Sequence, residues 1–249
     1  MKLSAPATLG LVLALSLAAC GKDAGDAAAP TESASPLAKV APPAGKSWAE
    51  TVTVTPEGGY LMGNPAAPIK LVEFGALSCS HCADFAAKAS APLRDNYVAS
   101  GRVSYELRLF MLNPYDVPAA MLATCGAPEA VIPLSEQFWA WQPNMFTNVQ
   151  NAGEARLQAI GALPPDQRYA PLAEAAGMTE FFAARGISAD QAKACLGNAA
   201  RATELANQTQ AAAEKYEVQG TPTFRLNGSN LGTLGWEQLE PLLQKAGAR

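Results

Sequence analysis

The chain has 249 residues, 49% of them hydrophobic, and its 22 acidic side chains outnumber 18 basic ones for a formal charge of −4. That mild acidity is the wrong sign for a phosphate backbone and argues against nucleic acid as a partner. A single histidine, His81, excludes any site that needs two or more imidazoles, so attention falls on the five cysteines.

Lys2 followed by the uncharged run from Ala5 to Ala19 reads as an export signal rather than structure. The run is shorter than the roughly 20 residues a transmembrane helix needs, so no spanning anchor is expected. It ends in Leu17-Ala18-Ala19-Cys20, which resembles a bacterial lipobox, with cleavage before Cys20 and acylation of that thiol. The alternative is an ordinary signal cleaved near Ala19 that leaves a stray cysteine. Residues 20–47 are dominated by Ala, Gly, Pro, Ser, Asp and Thr and read as a lipidated, flexible tether. The body expected from Trp48 onward spans about 200 residues, enough for one domain or one domain with a large insertion.

Ile69 to Phe74 is a nearly continuous apolar run between Pro68 and Gly75, as in a strand buried on both faces, and it contains one acid, Glu73. From Ser80 the apolar residues recur at 82, 85, 86, 89, 93 and 97, a helical stripe that Pro92 should kink and Gly101 should follow. Val103 to Phe110 alternates as a second strand, and the crossover makes the two strands parallel neighbours. From about Pro114 to Glu217 the pattern is alanine-rich and helical. It predicts several short helices interrupted at Pro128, Pro133, Pro143, Gly161, Pro164-Pro165, Gly177 and Gly186. Ser188 and Gln191 fit a capping box opening the last long helix of this block. Thr221–Leu226 and Leu231–Leu234 flank Asn227-Gly228 as a hairpin, and Trp236, Leu239, Leu242 and Leu243 mark a closing helix.

Cys79-Ser80-His81-Cys82 stands where the first strand gives way to the first helix. A helix start favours an anion, so Cys79 would be held partly as thiolate, with Cys82 one turn on to resolve what Cys79 attacks. A lone Cys-x-x-Cys is also compatible with half a zinc site or a structural bridge, but Cys125 and Cys195 are too far apart in sequence to supply a second tight pair. His81 is either a group that tunes the thiolate or a surface histidine. Glu73, six residues before Cys79, would lie beneath the pair with a raised pKa and trade a proton with Cys82, unless it is a partly exposed strand-end acid. Gly220-Thr221-Pro222 precedes a strand whose first residue cannot donate to a ladder. A cis Thr221–Pro222 bond would leave the Thr221 backbone beside Cys79, although most such bonds are trans.

Leu71-Val72-Glu73-Phe74, Cys79-Ser80-His81-Cys82, the helical block and Gly220-Thr221-Pro222-Thr223-Phe224 together resemble the DsbA family over roughly residues 63–246. The resemblance implies an α/β thioredoxin fold with a helical domain inserted between its βαβ and ββα halves. Residues 48–113 and 218–249 would form the two halves and residues 114–217 the insertion. It further implies Cys79 as exposed nucleophile, Cys82 as buried partner, Glu73 as buried acid and Pro222 as the cis-proline opposite the disulfide. Ser80, where the family motif most often has Pro, and Thr221, where many oxidases have Val, leave the redox potential open.

Cys125 and Cys195 then remain as a structural disulfide, with a second redox pair as the rival reading. The expected activity is oxidation of dithiols in exported proteins, with exported protein or peptide thiols as partners and a membrane redox protein to reoxidise the pair. The expected setting is a monomer tethered by lipid at Cys20, on the periplasmic side of a bacterial cell envelope. No metal and no cofactor is implied. A reductase or isomerase is the alternative within the same chemistry; a non-catalytic lipoprotein chaperone or a metal-delivery module is the alternative outside it.

Overall fold

The strand that carries Glu73, Ile69–Gly75, lies at the centre of a six-stranded sheet in a computed structural model that describes residues 35–249. The strands are β1 (Val52–Val54), β2 (Tyr60–Gly63), β3 (Ile69–Gly75), β4 (Val103–Leu109), β5 (Thr223–Leu226) and β6 (Ser229–Gly232), in spatial order β1-β2-β4-β3-β5-β6. Only β3 and β4 run parallel, joined through α1 (Ser80–Pro92). The other pairings are antiparallel. The chain leaves β4 for seven helices: α2 (Asp116–Ala123), α3 (Pro128–Ala152), α4 (Glu154–Gly161), α5 (Tyr169–Ala175), α6 (Met178–Ala183), α7 (Ala189–Leu196) and α8 (Ala199–Tyr216). It returns through the β5–β6 hairpin to α9 (Trp236–Lys245). This is the thioredoxin fold with a helical domain inserted between its βαβ and ββα halves.

β3 is buried on both faces because helices cover both, which is why its sequence is almost continuously apolar. On one face Phe85 of α1 packs on Phe224 with ring centroids 4.6 Å apart, and Trp236 closes over Phe85 and Tyr97. In the insertion, Phe138, Trp141, Phe181 and Phe182 form a second aromatic cluster. These aromatics are core, with Phe138 fully buried.

Several elements differ from the sequence reading. β1 and β2 were not expected; three and four residues are too short to show alternation, and β2 is fixed by its pairing with β4 some 40 residues later. Pro133 and Pro143 do not interrupt a helix but lie inside the 25-residue α3. Both face solvent, where water can take the carbonyls that proline leaves unpaired, while the opposite stripe from Val131 to Met145 holds the helix to the core. The Ser188–Gln191 capping box is present, yet it opens the eight-residue α7; Asn198 caps the long α8. The second hairpin strand runs Ser229–Gly232 rather than 231–234, since Asn227 and Gly228 both take positive φ in a two-residue turn.

The segment read as a tether is held to the body at residues 37–40. Leu37 N–H donates to Gly247 O, Val40 N–H to Ser100 O, and the Trp48 indole to Val40 O. The export signal expected at 1–19 and the lipidation expected at Cys20 fall outside the described residues. Among the described residues no helix is long and apolar enough to cross a membrane.

Candidate active site

β3 ends at Gly75, a tight turn follows, and Cys79 is the N-cap of α1. Its sulfur accepts the Cys82 backbone N–H at 3.3 Å, in the place where an N-cap side chain normally satisfies a free helix amide. Its thiol also donates to the Thr221 carbonyl at 3.1 Å, across 142 residues of sequence. Cys79 and Cys82 are both free thiols and both buried, so Cys79 is not the exposed residue expected: it keeps 6% of its surface beside the Thr221 segment, and Cys82 keeps none.

The two sulfurs have opposite environments. The Cys82 thiol donating to it lowers the pKa of Cys79 most, against a desolvation penalty, and the Thr221 side chain and the Cys82 and His81 backbone N–H groups add to the lowering. The result is a thiol brought down to about 5. Cys82 is fully buried, and burial pushes its pKa far up, with the Cys79 sulfur and the Glu73 carboxylate adding to the rise. One sulfur is set up to be an anion at neutral pH and the other to hold its proton.

Glu73 lies in mid-strand opposite Leu107 on β4 and Phe224 on β5, with no exposed surface. Its Oε2 accepts the Tyr105 hydroxyl at 2.7 Å, while Oε1 is buried without a partner. Burial raises its pKa to about 8, opposed by the Tyr105 hydrogen bond and reinforced by the Cys79 and Glu136 charges. Glu73 is thus buried beneath the pair and not a strand-end acid. Tyr105 was missed: it sits on the apolar side of an alternating strand and reads as core.

The Thr221–Pro222 bond is cis. Thr221 is buried and its carbonyl faces Cys79. The exposed His81 side chain lines a groove of about 230 Å³ with Phe85, Lys88, Pro222 and Trp236. Among the described residues its ring has no hydrogen-bond partner, so the backbone of His81, rather than its imidazole, is what supports the Cys79 anion. Cys125 and Cys195 are bonded to each other, with Cα atoms 5.9 Å apart, and tie the end of α2 to α7. They are therefore not available to complete a metal site with Cys79 and Cys82.

The whole arrangement can carry out thiol–disulfide exchange: an attacking sulfur with a low pKa, a shielded resolving sulfur, and a buried acid whose pKa is raised to about 8.

Comparison with known proteins agrees. A family model described as thioredoxin matches residues 55–245. A Rickettsia conorii protein provisionally named a protein-disulfide oxidoreductase is 25% identical over 190 residues, which cover 76% of this chain and 61% of that protein. The chain thus spans about three fifths of the length of the curated relatives it matches. A solved structure of a protein-disulfide isomerase from Novosphingobium aromaticivorans superposes with a TM-score of 0.70 at 33% identity, covering 74% of this chain and 94% of that one. Wolbachia pipientis alpha-DsbA1, at 19% identity and a TM-score of 0.62 over 78% of this chain and 92% of its own, shares the fold. This chain belongs to the thioredoxin family and carries a helical domain inserted into that fold.

Proposed function

We propose that the chain is a thiol–disulfide oxidoreductase that works as an oxidase of exported dithiols, with Cys79 as nucleophile and Cys82 as its resolving partner. The observation that carries this reading is the asymmetry of the pair: Cys79 at the helix start with a pKa near 5, and Cys82 buried with its pKa raised. A low pKa on the leaving sulfur favours the reduced enzyme, and so makes the disulfide a stronger oxidant.

In the oxidising direction a substrate thiolate attacks Cys79 of the Cys79–Cys82 disulfide. The S–S bond breaks, Cys82 leaves as thiolate and takes a proton from Glu73, and a mixed disulfide remains on Cys79. The second substrate thiolate attacks the substrate sulfur of that bond and expels Cys79 as thiolate. The substrate loses two electrons and the enzyme pair gains them. Reoxidation runs the same steps backward against a disulfide-bearing membrane protein, with Glu73 now accepting the Cys82 proton. The Thr221 backbone beside Cys79 is the place for the substrate chain to lie. We place the enzyme on the periplasmic side of a bacterial envelope, as a monomer anchored through an acylated Cys20, on the strength of the Leu17–Cys20 motif.

A reductase or isomerase is favoured by one observation, Thr221 before Pro222, and by the name of the Novosphingobium relative. The equilibrium of Cys79–Cys82 with glutathione decides between them. An oxidase should lie near the potential of strong oxidants, on the order of −120 mV, and a value near that of thioredoxin, about −270 mV, overturns the oxidase assignment. Cys79→Ser should abolish oxidation of a reduced substrate protein; retention of function without that thiol would instead identify a non-catalytic module.

A further inference from the structure

The turn between β3 and α1 delivers Cys79, yet the described bonding within it is a single link, Cys79 N–H to Ala76 O at 3.1 Å. Apart from the Phe110 N–H on Gly75 O and Asn113 Nδ2 on the Ser78 hydroxyl, its support comes from the helical insertion. Trp139 Nε1 donates to Ala76 O at 2.9 Å, and Gln142 Nε2 donates to Leu77 O at 2.7 Å. Asp116 accepts the Ser78 N–H at 2.7 Å and the Ser78 hydroxyl at 2.8 Å. Three consecutive residues before the nucleophile are therefore gripped by side chains, Ser78 also accepting from Asn113 Nδ2, and Trp139, Gln142 and Asp116 are each 3% exposed or less.

Asp116 is engaged further. It also accepts the Leu112 and Asn113 N–H groups, so one carboxylate joins the active-site turn to the segment that enters α2. Trp139 and Gln142 lie three apart on α3 and thus on the same face of that helix. A polar side chain buried this deeply is costly unless its hydrogen bonds are made, so its geometry is held closely.

We propose that Trp139, Gln142 and Asp116 are positioning residues, through which the helical insertion sets the place of the Cys79 sulfur. The proposal rests on the reading of Cys79 as the attacking thiol. The backbone N–H that supports the anion, that of Cys82 at 3.3 Å, comes from α1, with the His81 backbone adding to it, whereas the Thr221 carbonyl at 3.1 Å accepts from the neutral thiol only. A hydrogen bond weakens steeply as its distance and angle leave the optimum, so a turn that drifts would weaken the support of the anion without removing any group that touches it. On this view the insertion acts on the chemistry as well as on the stability of the fold.

The test uses the reduced full-length protein and follows alkylation by iodoacetamide from acid to neutral pH, with mass spectrometry assigning the adduct. Cys82 has no exposed surface and holds its proton, whereas Cys79 keeps a small exposed area and a lowered pKa, so the profile reports Cys79. Trp139→Phe deletes the indole N–H while keeping a large ring, and Gln142→Met deletes the amide while keeping the length. Both exchange neutral for neutral, and they leave in place the titratable groups around Cys79, namely Cys82 and Glu73. Each variant should shift the profile to higher pH, lowering the rate near pH 4 by about threefold, and the double variant by more. Leu205→Ala, a buried change in α8 with no hydrogen bond to the turn, should lower stability and leave the profile in place. Folded Trp139→Phe and Gln142→Met proteins with the wild-type profile would overturn the proposal; should the double variant not fold, the single variants decide. A failure of the oxidoreductase reading is distinguishable, because it gives a wild-type protein that is alkylated as expected but transfers no disulfide.

Discussion

The Tyr105 hydroxyl donates to Glu73 Oε2 at 2.7 Å and leaves Oε1 as a buried acceptor with no partner. One hydrogen bond does not offset the burial of a carboxylate, so Glu73 keeps its proton to about pH 8 in the folded chain, against 4.5 ordinarily. Between those values the folded state binds a proton that the unfolded state has released, and stability is lost as pH rises through the window. Cys79 works in the opposite sense in the reduced protein, since its folded pKa of about 5 lies below its ordinary 9. Comparing Glu73→Gln with wild type at each pH cancels the Cys79 contribution. The substitution should be near neutral at pH 4.5 and stabilising by roughly a few kcal/mol above pH 8, measured by urea unfolding. A pH-independent difference would show that Glu73 does not titrate in this range. Exchange should slow on the order of 10²-fold in the same variant, because Cys82 loses its proton partner.

Cys82→Ser keeps the Cys79 nucleophile and removes the group that resolves it. When Cys79 attacks a substrate disulfide, the mixed disulfide should persist, and mass spectrometry should find enzyme and substrate joined through Cys79. Cys79→Ser should form no such adduct, because the remaining thiol is buried with a raised pKa. An adduct through Cys82 in that variant would reverse the assignment of the two sulfurs.

The β3–α1–β4 unit was legible because each element is long and its burial pattern is local: seven-residue strands and a helical stripe. Glu73 stood out as the one acid in an apolar run. Tyr105 did not, because an aromatic on the apolar side of a strand looks the same whether or not its hydroxyl is used. Asp116, Trp139 and Gln142 were beyond reach for another reason. Their partners lie 38, 63 and 65 residues away, and no periodicity encodes contacts set by how the insertion docks. The prolines of α3 misled because a local rule was applied to a helix held by tertiary packing.

Pro143 offers a direct check of that last point. It is exposed in mid-helix, where proline removes one backbone bond and disfavours helix by about 3 kcal/mol relative to alanine. Proline also restricts the unfolded chain, which returns about 1 kcal/mol. Pro143→Ala should therefore stabilise the protein by roughly 1–2 kcal/mol in urea unfolding. Destabilisation would mean that α3 needs the local geometry proline imposes there, next to Gln142 and its bond to Leu77.

The Cys125–Cys195 bond closes a loop across 70 residues of sequence, spanning α3 to α6. In the chain-entropy description, a loop of this length stabilises the fold by about 4 kcal/mol. The double variant Cys125→Ser/Cys195→Ser should lose stability of that order in urea unfolding while the Cys79–Cys82 pair keeps its equilibrium with glutathione. The second half follows from placement, because the bond ties α2 to α7, and Asp116, Trp139 and Gln142 stay in place as long as those helices remain folded. A structural role thus separates stability from potential. A second redox pair does not: if Cys125 and Cys195 passed electrons to the active site, the variant should turn over more slowly with an external oxidant at a temperature where it is fully folded. That slowing would overturn the structural assignment, even with the predicted loss of stability in hand.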